Sequence, residues 1–195
     1  MERELLLTGI GGQGVQLAAR TLATAAVRDG LEAMVFGSYA GSMRGGATDA
    51  TVILGTGPIL APPTVDEAWG ALVMHHLSWA AIRERLRPGG CVLVDSSVFR
   101  GDPAVDGCAV LDVDASDRAA VLGNPRAGSM VALGAFVGAT RIVTIEALAE
   151  AALEVLPPYR RQHAQANVAA LRAGFALVET PLVQAWADDG RTAAA

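Results

Sequence analysis

The stretch from Leu5 to Gly30 limits the possible folds of this chain more than any other part of the sequence. It opens with the apolar run Leu5-Leu6-Leu7-Thr8, which is typical of a buried parallel strand. From Val15 the apolar residues recur with helical spacing, and Gly30 is placed to end that helix in a left-handed conformation. The order predicts a strand, a glycine-rich turn and a helix.

The turn itself reads Gly9-Ile10-Gly11-Gly12-Gln13-Gly14 and contains the pattern Gly-x-Gly-x-x-Gly. Glycine in this pattern permits positive φ angles and lets backbone amides approach a phosphate at the start of a helix. A dinucleotide site also needs an acidic residue at the end of the second strand. Here the second predicted strand, Ala33 to Phe36, is followed by Gly37-Ser38-Tyr39, and Glu32 precedes it. Three interpretations stay open: a phosphate or anion contact, an NAD(P) site without its ribose acid, and a tight turn without a ligand.

A second glycine-containing segment, Ser38 to Gly46, follows the second predicted strand. We expect it at the same carboxyl edge of the sheet as the first turn. It holds Arg44 ahead of two glycines, and a guanidinium there can pair bidentately with a phosphate or a carboxylate. The alternative is a surface arginine beside a flexible hinge.

Strand and helix patterns alternate through the first half of the chain, and helices fill the second half. The fold class is therefore predicted to be α/β, a Rossmann-like, doubly wound and mostly parallel sheet with a helical C-terminal part. We expect a single domain over residues 1–187 and a disordered tail over residues 188–195. The further predicted strands are Ala50–Leu54, Ala71–Met74, Cys91–Asp95 and Ala109–Val113, and the further helices are Leu77–Leu86, Asp117–Leu122, Gly128–Thr140, a helix capped by Thr144, and Arg160–Ala173.

Composition excludes several classes of function. The net charge is −5, which argues against general nucleic-acid binding. The chain has no lysine, which rules out Schiff-base chemistry and a Walker-type phosphate lysine. No apolar run reaches the roughly 18 residues of a membrane span, and the charged residues after Met1 do not form a signal peptide. We expect a cytoplasmic protein without membrane contact.

The residues that could carry chemistry do not form a recognisable catalytic set. Cys91 and Cys108 are far apart, so the chain cannot by itself hold an iron–sulfur cluster. His75 and His76 end a predicted strand, where neighbours point to opposite faces, which favours packing or a single polar contact over a shared metal. Asp95 follows another strand and is expected to support a turn or cap. We therefore predict no catalytic residues and no metal site in this chain.

Taken together, four segments resemble the gamma subunit, or gamma domain, of the thiamine-diphosphate-dependent 2-oxoacid:ferredoxin oxidoreductases. They are Gly9–Gly14, the segment Ser38–Ala47 (close to the family's Ser-Tyr-Gly-Pro-Glu-Met-Arg-Gly-Gly-Thr), Arg87-Pro88-Gly89-Gly90, and Leu122–Arg126 followed by Ser129–Ala135. The likeness extends from about Leu5 to Gly174. The sequence departs from the family at Ala40-Gly41-Ser42, where the family has Gly-Pro-Glu, and at Ser129, where it has Asn.

The resemblance implies a subunit of an enzyme that oxidatively decarboxylates a 2-oxoacid to an acyl-CoA and passes electrons to ferredoxin. Alpha and beta subunits, and in some complexes a delta subunit, would be its partners and would hold thiamine diphosphate and the iron–sulfur clusters; coenzyme A would bind in the assembled complex. The candidate cofactor-binding residues line the two loops: Gly9, Gly11, Gly12, Gln13, Gly14, Tyr39, Arg44, Gly45 and Gly46. The alternatives are an indolepyruvate-type small subunit, a free-standing nucleotide-binding oxidoreductase, and a non-enzymatic assembly module.

Overall fold

A computed structural model describes residues 1–39, 46–60 and 65–186, which form an α/β fold around one six-stranded sheet. The strands are β1 (Glu2–Ile10), β2 (Glu32–Tyr39), β3 (Ala47–Gly55), β4 (Ala68–Val73), β5 (Leu86–Asp95) and β6 (Ala109–Val113). The helices are α1 (Val15–Arg28), α2 (Trp79–Arg83), α3 (Ala115–Val121), α4 (Gly128–Thr140), α5 (Ile145–Glu154) and α6 (Ala164–Phe175). Short 3₁₀ helices occupy His76–Ser78, Pro125–Ala127 and Pro158–His163. The predicted 188–195 tail lies outside the described residues.

The strand order in the sheet is β2-β3-β1-β4-β5-β6, and β3 alone runs against the other five. β3 pairs antiparallel with β1 from Glu2↔Gly55 to Ile10↔Ala47, and antiparallel with β2 on its other side. The predicted α/β, mostly parallel sheet is confirmed, but the third strand does not follow the doubly wound pattern. The reason is the short connection over residues 40–46, because a parallel crossover needs about a dozen residues or more.

One face of the sheet is covered by α1 and by a second layer built around α4. All of α4 is buried, and so the predicted apolar helix Gly128–Thr140 is confirmed as a core element. α4 and α6 touch through their backbones: a Cβ on Gly134 would lie 2.0 Å from Leu171 O, and one on Gly174 would lie 2.0 Å from Val131 O. Glycine at both positions permits this approach.

The other face of the sheet is covered by α2 and by a cluster that includes Trp79, Ile82 and Phe99. The predicted helix Leu77–Leu86 is shorter than expected, because the chain first forms a 3₁₀ turn and Leu86 is already paired with Ala68 in the sheet. The predicted helix Arg160–Ala173 likewise begins only at Ala164, after the 3₁₀ segment. Within residues 1–39, 46–60 and 65–186 no helix is long and apolar enough to span a bilayer.

The end of α1 follows the expectation from Gly30. This residue has a φ of 78°, and its N–H donates to Val27 O while the N–H of Leu31 donates to Ala26 O. These bonds provide donors for carbonyls in the last turn, which have no hydrogen-bond partner within the helix. At its other end α1 begins directly after the glycine turn, at the carboxyl edge of β1.

Candidate functional site

The turn from Gly9 to Gly14 joins β1 to α1 at the carboxyl edge of the sheet, and its shape depends on glycine. Gly12 and Gly14 have φ angles of 105° and 83°, a region that side chains disfavour. Gly9 has an ordinary φ, but a Cβ there would lie 2.6 Å from Gln13 Oε1 and 2.9 Å from Val15 Cγ2. Gly11 and Gly12 are exposed, so the backbone of the turn faces outward.

Gln13 fixes the turn with both ends of its side chain. Its Oε1 accepts the N–H of Ile10 at 2.8 Å, and its Nε2 donates to Met74 O, just after β4, at 2.9 Å. The backbone N–H of Gln13 donates to Ile10 O at 3.1 Å. The side chain predicted to contact a cofactor is therefore occupied in linking β1 to the end of β4. Sequence reasoning missed this role.

The second predicted loop begins and ends at the same edge as the glycine turn. Tyr39 is the last residue of β2 and pairs with Thr48, and the N–H of Gly11 donates to Gly46 O at 2.9 Å. This hydrogen bond joins the two loops directly, as their expected placement requires. Two of the candidate residues, Arg44 and Gly45, lie outside the described residues.

The N-terminal end of α4 closes the site from the helical layer. Ser129, which is buried, lies so close that a Cβ on Gly14 would be 2.5 Å from its Oγ. Gly128 lies against Ser116 at the start of α3, and Ser116 Oγ donates to Asp95 Oδ2 at 2.5 Å. The N-terminal ends of α1, α3 and α4 thus meet at this edge. The predicted cap role of Asp95 is confirmed, since it also accepts the N–H groups of Ser116 and Ser97.

The amides at the start of α1 have no acceptor among the described residues. Gly12, Gly14 and Val15 donate to no backbone or side-chain oxygen there. Such amides, together with the positive end of the helix dipole, bind anions. The arrangement provides hydrogen-bond donors for a phosphate, and it offers no paired acid and base.

The histidine pair follows the end of β4 and makes the packing and the single polar contact that were expected. His75 still has an extended backbone, with φ −161° and ψ 146°, and His76 begins a 3₁₀ helix. Their rings stack on each other with centroids 4.3 Å apart. The N–H of Leu77 donates to His75 Nδ1 at 3.2 Å. Burial, and secondarily His76, lowers the pKa of His75.

β2 carries no acidic residue at this edge, where a dinucleotide site has the carboxylate that binds the ribose. Glu32 pairs with Gly55 at the opposite end of β2, and Tyr39 ends the strand at the crevice. The described part of the chain also contains no group of three or more His, Cys, Asp or Glu side chains placed to hold a metal ion. Cys91 is fully buried in β5, and Cys108 Sγ donates to Arg87 O.

Comparison with known proteins agrees with this geometry. The family model described as pyruvate ferredoxin/flavodoxin oxidoreductase matches residues 4–177. The chain belongs to this family. It is 30% identical over 185 residues to the 2-oxoglutarate synthase subunit KorC of Methanothermobacter marburgensis. This alignment covers 91% of the chain and 97% of the KorC subunit.

Solved structures give the same result. The keto/oxoacid ferredoxin oxidoreductase gamma subunit of Geobacter sulfurreducens superposes with a TM-score of 0.76 at 29% identity, over 90% of this chain and 95% of that one. The 2-oxoglutarate:ferredoxin oxidoreductase of Magnetococcus marinus shares the fold, with a TM-score of 0.80 at 20% identity over 94% of this chain and 33% of that one. The predicted family membership is confirmed, and the chain is of the gamma-subunit type.

Proposed function

We propose that this gamma subunit completes a 2-oxoacid:ferredoxin oxidoreductase that oxidatively decarboxylates a 2-oxoacid to an acyl-CoA. Within that complex it lines the crevice that holds the coenzyme and helps to hold the subunits together. 2-Oxoglutarate is the first candidate substrate, since the Methanothermobacter relative is named for its synthase. The chain supplies binding groups, and its partners supply the redox chemistry.

The observation that carries the proposal is the set of amides at the glycine turn. Gly12 and Gly14 present N–H groups without described acceptors at the N-terminal end of α1, and α4 begins against the same turn. The dipoles of these two helices favour negative charge there. We infer that a phosphate group of coenzyme A, or of thiamine diphosphate held by a neighbouring chain, binds at this place, and that Arg44 pairs with it. Gln13 acts on the ligand through the turn that it fixes.

The cofactors of the complex differ in how they fit this chain. A phosphate fits the glycine turn, and the Magnetococcus enzyme was solved with coenzyme A bound. An iron–sulfur cluster needs several exposed thiolates close together. Burial raises the pKa of Cys91 to about 12, so this thiol does not ionise in the folded chain near neutral pH. We therefore assign the clusters and thiamine diphosphate to the alpha and beta, and where present delta, subunits, with ferredoxin reached through them.

Two alternative functions have less support. A free-standing nucleotide-binding oxidoreductase would hold NAD(P) or a flavin, and β2 has no acidic residue at its carboxyl end. In a pure assembly module the glycine turn would serve only as a turn, and the amides of Gly12 and Gly14 would donate to water instead of a ligand. An indolepyruvate-type small subunit is a further variant of the same chemistry, and the relatives named above are of the 2-oxoglutarate and keto/oxoacid types.

The test is to isolate the chain with its natural partners and assay the complex. We expect larger subunits that carry thiamine diphosphate and iron–sulfur clusters, and dye reduction that depends on a 2-oxoacid and on coenzyme A. The Arg44→Ala complex should need about 10-fold more of the ligand whose phosphate the turn binds, coenzyme A or thiamine diphosphate, the loss expected for a charge-assisted contact. Arg172→Ala, an exposed arginine in the last turn of α6, is the matched control. A chain isolated alone with bound nucleotide, or an Arg44→Ala complex with wild-type kinetics, would contradict the proposal.

A further inference from the structure

β2, the strand Glu32–Tyr39, forms one edge of the six-stranded sheet and pairs only with β3. Among the described residues, the backbone of its outer side has no hydrogen-bond partner. An open edge of this kind can pair with a further strand, and proteins usually protect it with lysine, proline, another charged side chain or a β-bulge. Between Ala33 and Gly37 the strand has none of these. The opposite edge, β6, has only five residues and carries Asp112, which is exposed.

The register of the sheet shows which residues of β2 turn their backbone groups outward. Just beyond the ladder of β1 with β3, the N–H of Thr56 donates to Met1 O at 3.0 Å. Hydrogen-bonded and non-hydrogen-bonded pairs alternate in an antiparallel ladder, so the even-numbered residues of β3 bond to β1 and the odd-numbered ones bond to β2. Their partners are the even-numbered residues of β2. The odd-numbered residues of β2 therefore point their N–H and C=O groups away from the sheet. In the middle of the strand these residues are Ala33, Val35 and Gly37.

The outward residues are spaced symmetrically about Val35, so β2 can pair with the same strand of a second copy. In an antiparallel arrangement around a two-fold axis at Val35, this residue lies opposite its own copy, and Ala33 lies opposite Gly37. Each of these is a hydrogen-bonded pair, because the backbone groups of all three residues point outward. Every outward N–H and C=O in this part of the strand then has a partner.

The side chains of β2 fit the same register. Met34, which is 36% exposed, lies opposite Phe36 of the second copy. This pair is a non-hydrogen-bonded one, in which opposite side chains approach most closely. Glu32 is the one charged residue of the strand and lies at its start, so the two glutamates are placed at opposite ends of the ladder. The pairing thus joins apolar side chains and brings no like charges together.

We propose that two copies of this chain associate through β2, antiparallel about Val35, and form one continuous sheet across both copies. The glycine turn stays accessible in this arrangement, because it lies at the carboxyl edge of β1, two strands away from the open side of β2. The association does not depend on phosphate binding, so either inference can fail without the other.

The experiment measures the mass of the full chain by sedimentation velocity at increasing concentration, together with residue-resolved hydrogen exchange by NMR. We expect the mass to rise from that of one chain to that of two. The amides of Val35 and Gly37 should exchange at least about 10-fold more slowly in the dimer than in the dilute chain. The amides of Met34 and Phe36, which bond to β3, should exchange slowly at every concentration.

Met34→Lys is the substitution that tests the edge, since a lysine on an edge strand opposes pairing with a further strand. The apolar pair of Met34 with Phe36 occurs twice in a symmetric dimer, so we expect the dimer Kd to rise about 10-fold or more. Val121→Lys is the matched control. Val121 is an 88% exposed apolar residue on α3, which follows β6, and its substitution should leave the Kd unchanged.

A chain that stays monomeric up to about 1 mM would overturn the inference. A dimer that Met34→Lys leaves as tight as the wild type would also overturn it, because the interface would then lie elsewhere. If the amides of Val35 and Gly37 become protected only when partner subunits are added, a strand of another subunit occupies the edge, and the inference is wrong. Hydrogen exchange of the wild-type chain requires no substitution, so it decides the question even if Met34→Lys does not fold.

Discussion

Gln13→Ala is the substitution that most directly tests how the glycine turn is built. It removes two hydrogen bonds, from Ile10 N–H to Oε1 at 2.8 Å and from Nε2 to Met74 O at 2.9 Å. A net 0.5–1.5 kcal/mol for each bond gives a loss of about 1–3 kcal/mol in the free energy of unfolding. Gln13→Glu should cost more at neutral pH, because a carboxylate keeps the Ile10 contact but faces the carbonyl of Met74. As the pH falls the protonated side chain can donate to that carbonyl, and part of the loss should return.

Urea unfolding of the full chain, followed by circular dichroism at several pH values, measures these differences. Gln165→Ala is the control, since Gln165 is exposed on α6 and alanine favours helix there. If Gln13→Ala and Gln13→Glu both lie within about 0.5 kcal/mol of wild type, Gln13 does not stabilise the turn. A Gln13→Glu chain more stable than Gln13→Ala at neutral pH would show that Nε2 does not donate to Met74 O.

Three further predictions concern close packing and thiol burial. In urea unfolding, Gly134→Ala should lower the free energy of unfolding by about 3 kcal/mol or more, because its Cβ would lie 2.0 Å from Leu171 O. Gly30→Ala, where the space is open but φ is 78°, should lower it by only about 1–2 kcal/mol. Equal losses would contradict the packing of α4 on α6. Gly14→Ala should lower the free energy of unfolding, both because φ is 83° and because its Cβ would clash with Ser129 Oγ. Adding Ser129→Ala should recover part of this loss. If the losses of the two single variants simply add in the double variant, the two residues do not touch. In labelling with an alkylating reagent at pH 8, Cys108 should react before Cys91, because burial raises the pKa of Cys91 to about 12. A Cys91 that reacts quickly in the folded chain would refute its position inside the sheet.

Local patterns predicted much of this fold because the physics that they report is local. The apolar run before Gly9, the helical spacing from Val15 and the left-handed cap at Gly30 each act within a few residues, and all three are found. The uninterrupted apolar segment Gly128–Thr140 predicted a helix with the observed bounds, and in the structure this helix is buried. Because both loops follow strands predicted to be parallel, they were expected at one edge of the sheet.

The parts that were not predicted depend on contacts between distant residues. β2 is longer than the predicted Ala33–Phe36, since the antiparallel ladder with β3 extends to Tyr39. Leu86 lies in a strand because of its pairing with Ala68, although its own spacing suits a helix. The role of Gln13 likewise depends on Met74, which lies 61 residues further along the chain. Only the length of the connection over residues 40–46 gave a sequence signal for the reversal of β3.

The same limit applies to the site. The glycine pattern predicted the turn and its exposed amides, but not the contact of Gly14 with Ser129 on α4. Nor could the pattern show that His75 and His76 follow the strand and stack on each other, because the end of β4 at Val73 is set by pairing in the sheet. Functional residues from separate elements are found together only once the fold places them.

Hydrogen–deuterium exchange of the intact complex tests most directly whether the glycine turn binds a phosphate inside an assembled oxidoreductase. The amides of Gly12, Gly14 and Val15 have no described acceptor, so the peptide that spans residues 9–17 should exchange quickly without ligand. Coenzyme A and thiamine diphosphate are added separately. We expect one of them to slow exchange in this peptide, and the Arg44→Ala complex to need about 10-fold more of that ligand for the same protection. Unchanged exchange in this peptide, while both ligands protect peptides of the partner subunits, would contradict phosphate binding at the glycine turn.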